Sequence, residues 1–147
     1  MTSEPKLKRT NWRRSQKQTI KIVSLGVACF LGNSVAAENN RDFSQDYLTC
    51  LEKANGVTSE MIDCIFAETN RQDTKLNENY KSLISKISPK RKQSLVDAQR
   101  AWIGFRDANC KFYGDPEGGT SARLSANECV LNITADRAKE LKLLIPE

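Results

Sequence analysis

The chain has 147 residues, 39% of them hydrophobic, with no histidine and a formal charge of +5. Such a length suits one domain, and the lack of histidine removes the commonest catalytic base and metal ligand. Residues 1–37 hold seven Lys/Arg against one acidic residue, leaving sixteen basic and seventeen acidic side chains beyond them. Residues 38–147 are therefore near neutral, and no basic stripe with interleaved aromatics is available to bind a nucleic acid.

The N-terminal segment reads as an export signal. Basic residues from Lys6 to Lys21 precede a mostly apolar run from Ile22 to Leu31, and Val35-Ala36-Ala37 supplies a small-residue cleavage site. The domain boundaries expected on this basis are a signal peptide at 1–37 and a folded domain at 38–147. The apolar run is short for a bilayer span, although an uncleaved anchor is the alternative. Arg13-Arg14 lacks the following apolar residue of a twin-arginine signal, which leaves the general secretory route. Cys29 has Gly26 where a lipoprotein signal carries leucine, so it is expected to leave with the signal.

Four helices follow in chain order. Asp42 to Lys53 carries Phe43, Tyr47, Cys50 and Leu51 on neighbouring turns and stops at Asn55-Gly56. Thr58 is the expected cap of a long second helix running through Met61, Ile65, Leu76, Tyr80 and Leu83 to about Ile87. Ser88 caps the third helix, with Pro89 in the first position, where a missing N–H costs nothing. That helix reaches Cys110 or Phe112. The loop Gly114-Asp-Pro-Glu-Gly-Gly119 cannot continue it, and Thr120 or Ser121 caps a fourth helix to about Leu144 with Ala122, Ala126, Val130, Ile133, Arg137, Leu141 and Leu144 inward. No segment alternates with period two. The fold class is all-α, a small disulfide-stapled antiparallel bundle of about four helices.

Cys50, Cys64, Cys110 and Cys129 make an even set in a short exported domain, which is the arithmetic of disulfides. Four cysteines permit three pairings. Cys50 and Cys64 flank the Asn55-Gly56 turn and Cys110 and Cys129 flank the glycine loop, which favours those two pairs. A zinc site lacks both histidine and a closely spaced cysteine pair, and no cofactor is expected.

The third helix has an unusual stripe. At about 100° per residue, Leu95, Ala98, Gln99, Trp102, Arg106, Asn109 and Cys110 share one face. Glu68 lies among the apolar residues of the second helix between Ile65 and Leu76, and Arg137 between Ile133 and Leu141 in the fourth. Two readings are open. The polar groups form an interior network in which Arg106 or Arg137 pairs with Glu68, or the long side chains snorkel from the stripe edges to water.

With Cys50, Thr58-Ser-Glu-Met61, Cys64, Glu68, Asp73-Thr-Lys-Leu-Asn77, Tyr80, Gln99-Arg-Ala-Trp-Ile-Gly-Phe-Arg-Asp107, Cys110, Cys129 and Thr134-Ala-Asp-Arg137, the chain resembles the lysozyme inhibitor LprI-like N-terminal domain family of small secreted bacterial proteins. The resemblance implies a helical, disulfide-bearing domain of the periplasm or the exterior, without stable membrane insertion once the signal is removed. It further implies lysozyme or another envelope protein as partner. Leu76, Tyr80, Gln99 and Trp102, with Glu68, Arg106 and Arg137, explain a shared core better than a shared active site. Catalysis ranks last: Asp115 and Glu117 are loop carboxylates without an apolar wall to shift them, and no thiol is left over as a nucleophile. An inhibitor has to fill a cleft that carries two carboxyl groups, and the loop from Gly114 to Arg123, with Asp115, Glu117, Ser121 and Arg123, is the expected binding element.

Overall fold

A computed structural model describes residues 41–147. The signal expected at 1–37, with its cleavage site and Cys29, lies outside the described residues. Four helices account for most of the described chain: α1 (Gln45–Ala54), α2 (Thr58–Lys86), α3 (Pro89–Tyr113) and α4 (Gly119–Leu143).

The ends of the helices follow local chemistry, with several departures from expectation. α1 starts three residues later than its apolar pattern suggests, because the Ser44 hydroxyl accepts from the Tyr47 N–H and fixes the cap there. Phe43 then stands outside the helix, edge-on to Tyr47 at 5.3 Å. Asn55 takes the left-handed conformation that closes α1, at φ 44°. Thr58 is not a cap but the first helical residue of α2; Val57 holds the cap position without a side-chain bond. Ser88 does stand at the N-cap of α3, where its carbonyl accepts from the Lys92 N–H while its hydroxyl makes no cap bond. α4 begins at Gly119, earlier than a Thr120 or Ser121 cap would allow. Gly118 permits this: a Cβ there would stand 2.6 Å from that of Ala122.

Consecutive helices run antiparallel, yet the main packing surface joins α2 to α4, with α1 laid on α2 and α3 on α4. α2 and α4 run in the same direction. Ile65 and Leu131 share one apolar cluster with Tyr47, Ala54 and Cys64, and Leu76 and Leu83 share a second with Ala138 and Leu141. Small residues at Ala135 and Ala138 allow α2 to approach closely enough for Asn79 Nδ2 to donate to the Ala138 carbonyl at 2.9 Å. Between the two clusters in sequence order, α2 buries Glu68 and Gln72 and α4 buries Thr134 and Arg137, so a polar belt divides the core.

The expected inward stripe of α4 needs correction. The fully buried residues are Leu131, Thr134, Ala135, Arg137, Ala138 and Leu141, while Val130 and Ile133 are half-buried and Leu144 is exposed. A helix held between two neighbours turns a wider arc inward than one stripe describes. On α3 the correction is larger. Cys110 alone is fully buried, Ala98 is exposed, and Leu95, Gln99, Trp102, Arg106 and Asn109 are half-buried. α3 is an edge helix.

Candidate functional site: two stapled hairpins

Each half of the domain is a helical hairpin closed by a disulfide: Cys50 to Cys64 between α1 and α2, and Cys110 to Cys129 between α3 and α4, with Cα separations of 5.7 and 5.4 Å. The polar side chains singled out in the sequence divide between these halves instead of meeting in one network.

In the first hairpin, Glu68 is 0% exposed and meets neither Arg106 nor Arg137. Its carboxylate sits at the N-terminus of α1, accepting from the Ser44 N–H at 3.1 Å and from the Ser44 hydroxyl. Gln72 Nε2 donates at 2.7 Å and Arg71 Nη1 at 3.3 Å. The positive end of the α1 dipole favours a negative charge here. Burial by itself would push the Glu68 carboxyl up. The hydrogen bonds from the Ser44 hydroxyl, Gln72 and the Ser44 N–H, with the Arg71 guanidinium beside them, outweigh burial and hold it below the ordinary carboxylate value. Gln72 also reaches the Asp42 carbonyl at 3.0 Å, and Arg71 reaches Asp46. Tyr47, which Ser44 caps, has its phenol pushed up by burial, then by Glu128 and Glu68. The start of the described chain is tied down further on, where Arg41 grips Asp136 of α4 through Nε and Nη2 at 2.8 and 2.9 Å.

In the second hairpin, Arg137 Nε donates to Gln99 Oε1 at 3.0 Å, and its Nη1 to Glu140 at 2.7 Å. That pairing links α3 to α4. Arg106, expected as an interior ion-pair partner, instead donates to its neighbour Asp107 at 2.9 and 2.8 Å and lies over the Trp102 ring, 5.1 Å from its centroid. The snorkelling reading describes Arg106, and an interior network describes Arg137 and Glu68 separately. Of the core residues named with them, Leu76 is buried, and Tyr80 and Trp102 pack partly buried against the second cluster.

The tip of this hairpin is shorter than the expected loop. Only Gly114 to Gly118 separate the helices. The Asp115 carboxylate accepts from the Glu117 N–H at 2.9 Å and the Asp115 carbonyl from the Gly118 N–H at 3.0 Å, a self-bonded turn. Ser121 and Arg123 belong to the first turns of α4, and all four candidate residues, Asp115, Glu117, Ser121 and Arg123, are exposed. Beside them stand two aromatics that sequence reasoning passed over: Phe112, 82% exposed, and Tyr113, edge-on to it at 5.9 Å. Their position in the last turn of α3, beyond Cys110 and next to the glycine loop, was the available signal. Asn109 Nδ2 approaches Cys129 Sγ at 3.4 Å at the base of the tip.

Two grooves of about 560 Å³ complete the surface. The α1–α2 groove carries Asp46, Glu60 and Asp63 with Lys53 and Arg71, and the α2–α4 groove Glu78 and Asp136 with Lys75 and Lys142. Each mixes acidic with basic side chains. Among the described residues no group of His, Cys, Asp and Glu is placed to hold a metal ion, and no helix is long and apolar enough to cross a membrane.

The family model described as lysozyme inhibitor LprI matches residues 50–141, from the first cysteine of the first staple to the last buried leucine of α4. The chain belongs to the lysozyme inhibitor LprI family. Both staples of this LprI-family chain, Glu68 and Arg137 lie inside the matched span. A similar protein is an uncharacterized one of Rhizobium meliloti strain 1021, 28% identical over 96 residues that cover 56% of this chain and 69% of the relative. No solved structure matches the LprI-family chain significantly.

Proposed function

We propose that this is a non-enzymatic protein of the bacterial envelope that inhibits lysozyme by direct protein–protein binding, with the α3–α4 tip as the element that enters the cleft. Residues 1–37 serve as its export signal and residues 38–147 as the working domain, in the periplasm or outside the cell. The observation that carries the reading is the LprI family match, joined to a tip in which Phe112 stands 82% exposed next to a disulfide. Phe112 and Tyr113 supply an apolar wedge, and Ser121 and Arg123 offer donors to the carboxyl pair of a glycosidase cleft. The Cys110–Cys129 staple holds the tip before binding, which lowers the ordering cost. Nothing in this mode consumes a cofactor.

The second reading is an envelope interaction protein that docks another envelope protein and leaves lysozyme alone. It is favoured by the near-neutral charge of residues 38–147, since an inhibitor of a basic lysozyme gains on-rate from an acidic surface.

A turbidity assay of lysozyme on bacterial walls separates the two. Inhibition by the purified protein, weakened by about tenfold or more in Phe112→Asp and Arg123→Glu, is the expected result. No inhibition at large molar excess against several lysozyme types would overturn the inhibitor reading and leave capture of an envelope protein as the function to test.

A further inference from the structure

The half of α3 that turns away from α4 carries a second apolar stripe that no other part of the described chain covers. Ser94, Ala98, Ala101, Phe105, Ala108 and Phe112 are all exposed, Phe105 by 58% and Phe112 by 82%. Their spacing alternates three and four residues, the repeat of a coiled-coil seam. At about 100° per residue this stripe is centred roughly 110° around the helix from the arc of Leu95, Gln99, Trp102 and Cys110 that faces the domain. The two phenylalanines alone leave about 300 Å² of apolar surface in water, a patch of the size that marks an interaction site.

We infer that this face pairs with the same face of a second copy of the chain, α3 against α3 in antiparallel sense about a twofold axis near Ile103 and Gly104. One register satisfies size and charge together. It sets Phe105 opposite Ala101 and Phe112 opposite Ser94 of the other copy, with Ala98 opposite Ala108, so that every large side chain meets a small one. Flanking the seam, Asp97 comes within two residues of the level of Lys111 on the other copy. Each of these contacts occurs twice by symmetry. Asp97 and Lys111 are exposed, and among the described residues Asp97 is otherwise engaged only with Gln93 of its own helix. Gly104 lies on the flank of the seam level with the axis, where a Cβ would meet nothing of its own chain within 4 Å. Such self-complementarity of size and charge is what selects a second copy over an unrelated partner: the phenylalanines and Asp97 of one helix meet the small residues and Lys111 of the other. One helix per protomer buries an area at the low end of specific interfaces, so the pair forms and dissociates with concentration. The pairing shares Phe112 with the tip, so a paired copy does not at the same time offer that side chain to lysozyme.

Sedimentation equilibrium of the purified protein from about 1 µM to about 1 mM tests it. The expected result is a monomer–dimer equilibrium that Phe105→Glu weakens by about tenfold or more. Asp97→Lys and Lys111→Asp each weaken it as well, and the double reversal restores it because the opposite charges face each other again. These substitutions are at exposed positions, and an unchanged far-ultraviolet circular dichroism spectrum verifies that the helices persist. A monomer at every concentration overturns the inference, as does a dimer indifferent to Phe105→Glu or a double reversal no better than the single ones. If the protein stays monomeric while Phe105→Glu abolishes its binding to lysozyme, the face belongs to that partner and self-pairing is wrong.

Discussion

The two hairpins are built from the same parts and spend them differently. In the α1–α2 hairpin the charged residue is drawn inward, and Glu68 gathers Ser44, Gln72 and Arg71 around a carboxylate with no exposure. The α3–α4 hairpin also buries one charge, Arg137, but its Arg106 lies half-buried over Trp102 beside Asp107 while Phe105 and Phe112 remain in water. The difference teaches that a staple fixes a hairpin without deciding how much of it is buried. The first hairpin holds its buried carboxylate at the start of α1, and the second leaves the most exposed aromatic of the described residues, Phe112, beside its tip.

Removing Glu68 would break this contrast most severely. Glu68→Ala strands buried donors from Ser44 and Gln72, and a loss of about 3 kcal/mol in urea unfolding is expected; below about 1 kcal/mol, the inward carboxylate would not be what secures α1. Next come the staples. Sequence separations of 14 and 19 residues give nearly equal chain-entropy contributions of about 3 kcal/mol. Serine pairs at Cys50 with Cys64 and at Cys110 with Cys129 should therefore destabilise equally, with only the second pair impairing partner binding through the tip. Equal loss of binding from both would remove the division of labour.

Acid sharpens the comparison further. Because the Glu68 carboxyl is held below its ordinary value of 4.5, its contribution is complete above that value and disappears as pH falls through the folded one. The stability gap between the wild type and Glu68→Gln should narrow from neutral pH toward strong acid, measured by urea midpoints across the range; a gap constant with pH would show that the carboxylate's charge does not matter. A smaller effect is expected from the polar belt, where the Thr134 hydroxyl is buried without a hydrogen-bond partner among the described residues. Thr134→Val should raise stability by about 1 kcal/mol, and a loss of that size would reveal a partner for the hydroxyl. Smallest is Arg106→Ala, expected to cost less than about 1 kcal/mol because its ion pair is partly exposed.

Much of this was legible in the chain itself. The two cysteine pairs flank turn signals at Asn55-Gly56 and Gly114 to Gly119, and the break at Ser88-Pro89 separates α2 from α3. Periodicity also located Glu68 and Arg137 on buried faces. It did not supply their partners, because a helical repeat says which way a residue points and nothing of what lies opposite. Ser44, the residue that satisfies Glu68, sits just outside a helix, where no repeat applies. The edge position of α3 escapes the pattern for a related reason: the helix carries two apolar stripes, and its sequence alone does not rank them. The parallel pairing of α2 with α4 likewise depends on the small Ala135 and Ala138, which a pattern of apolar positions scores no higher than leucine.

Both disulfides are local, and none crosses from one hairpin to the other. Cys50 and Cys64 can find each other without Cys110 or Cys129, and each half can acquire its covalent closure without waiting for α2 to meet α4. The long-range docking of the two central helices is thus left as the last task, carried out between two parts that oxidation has already limited to nearly their final shapes.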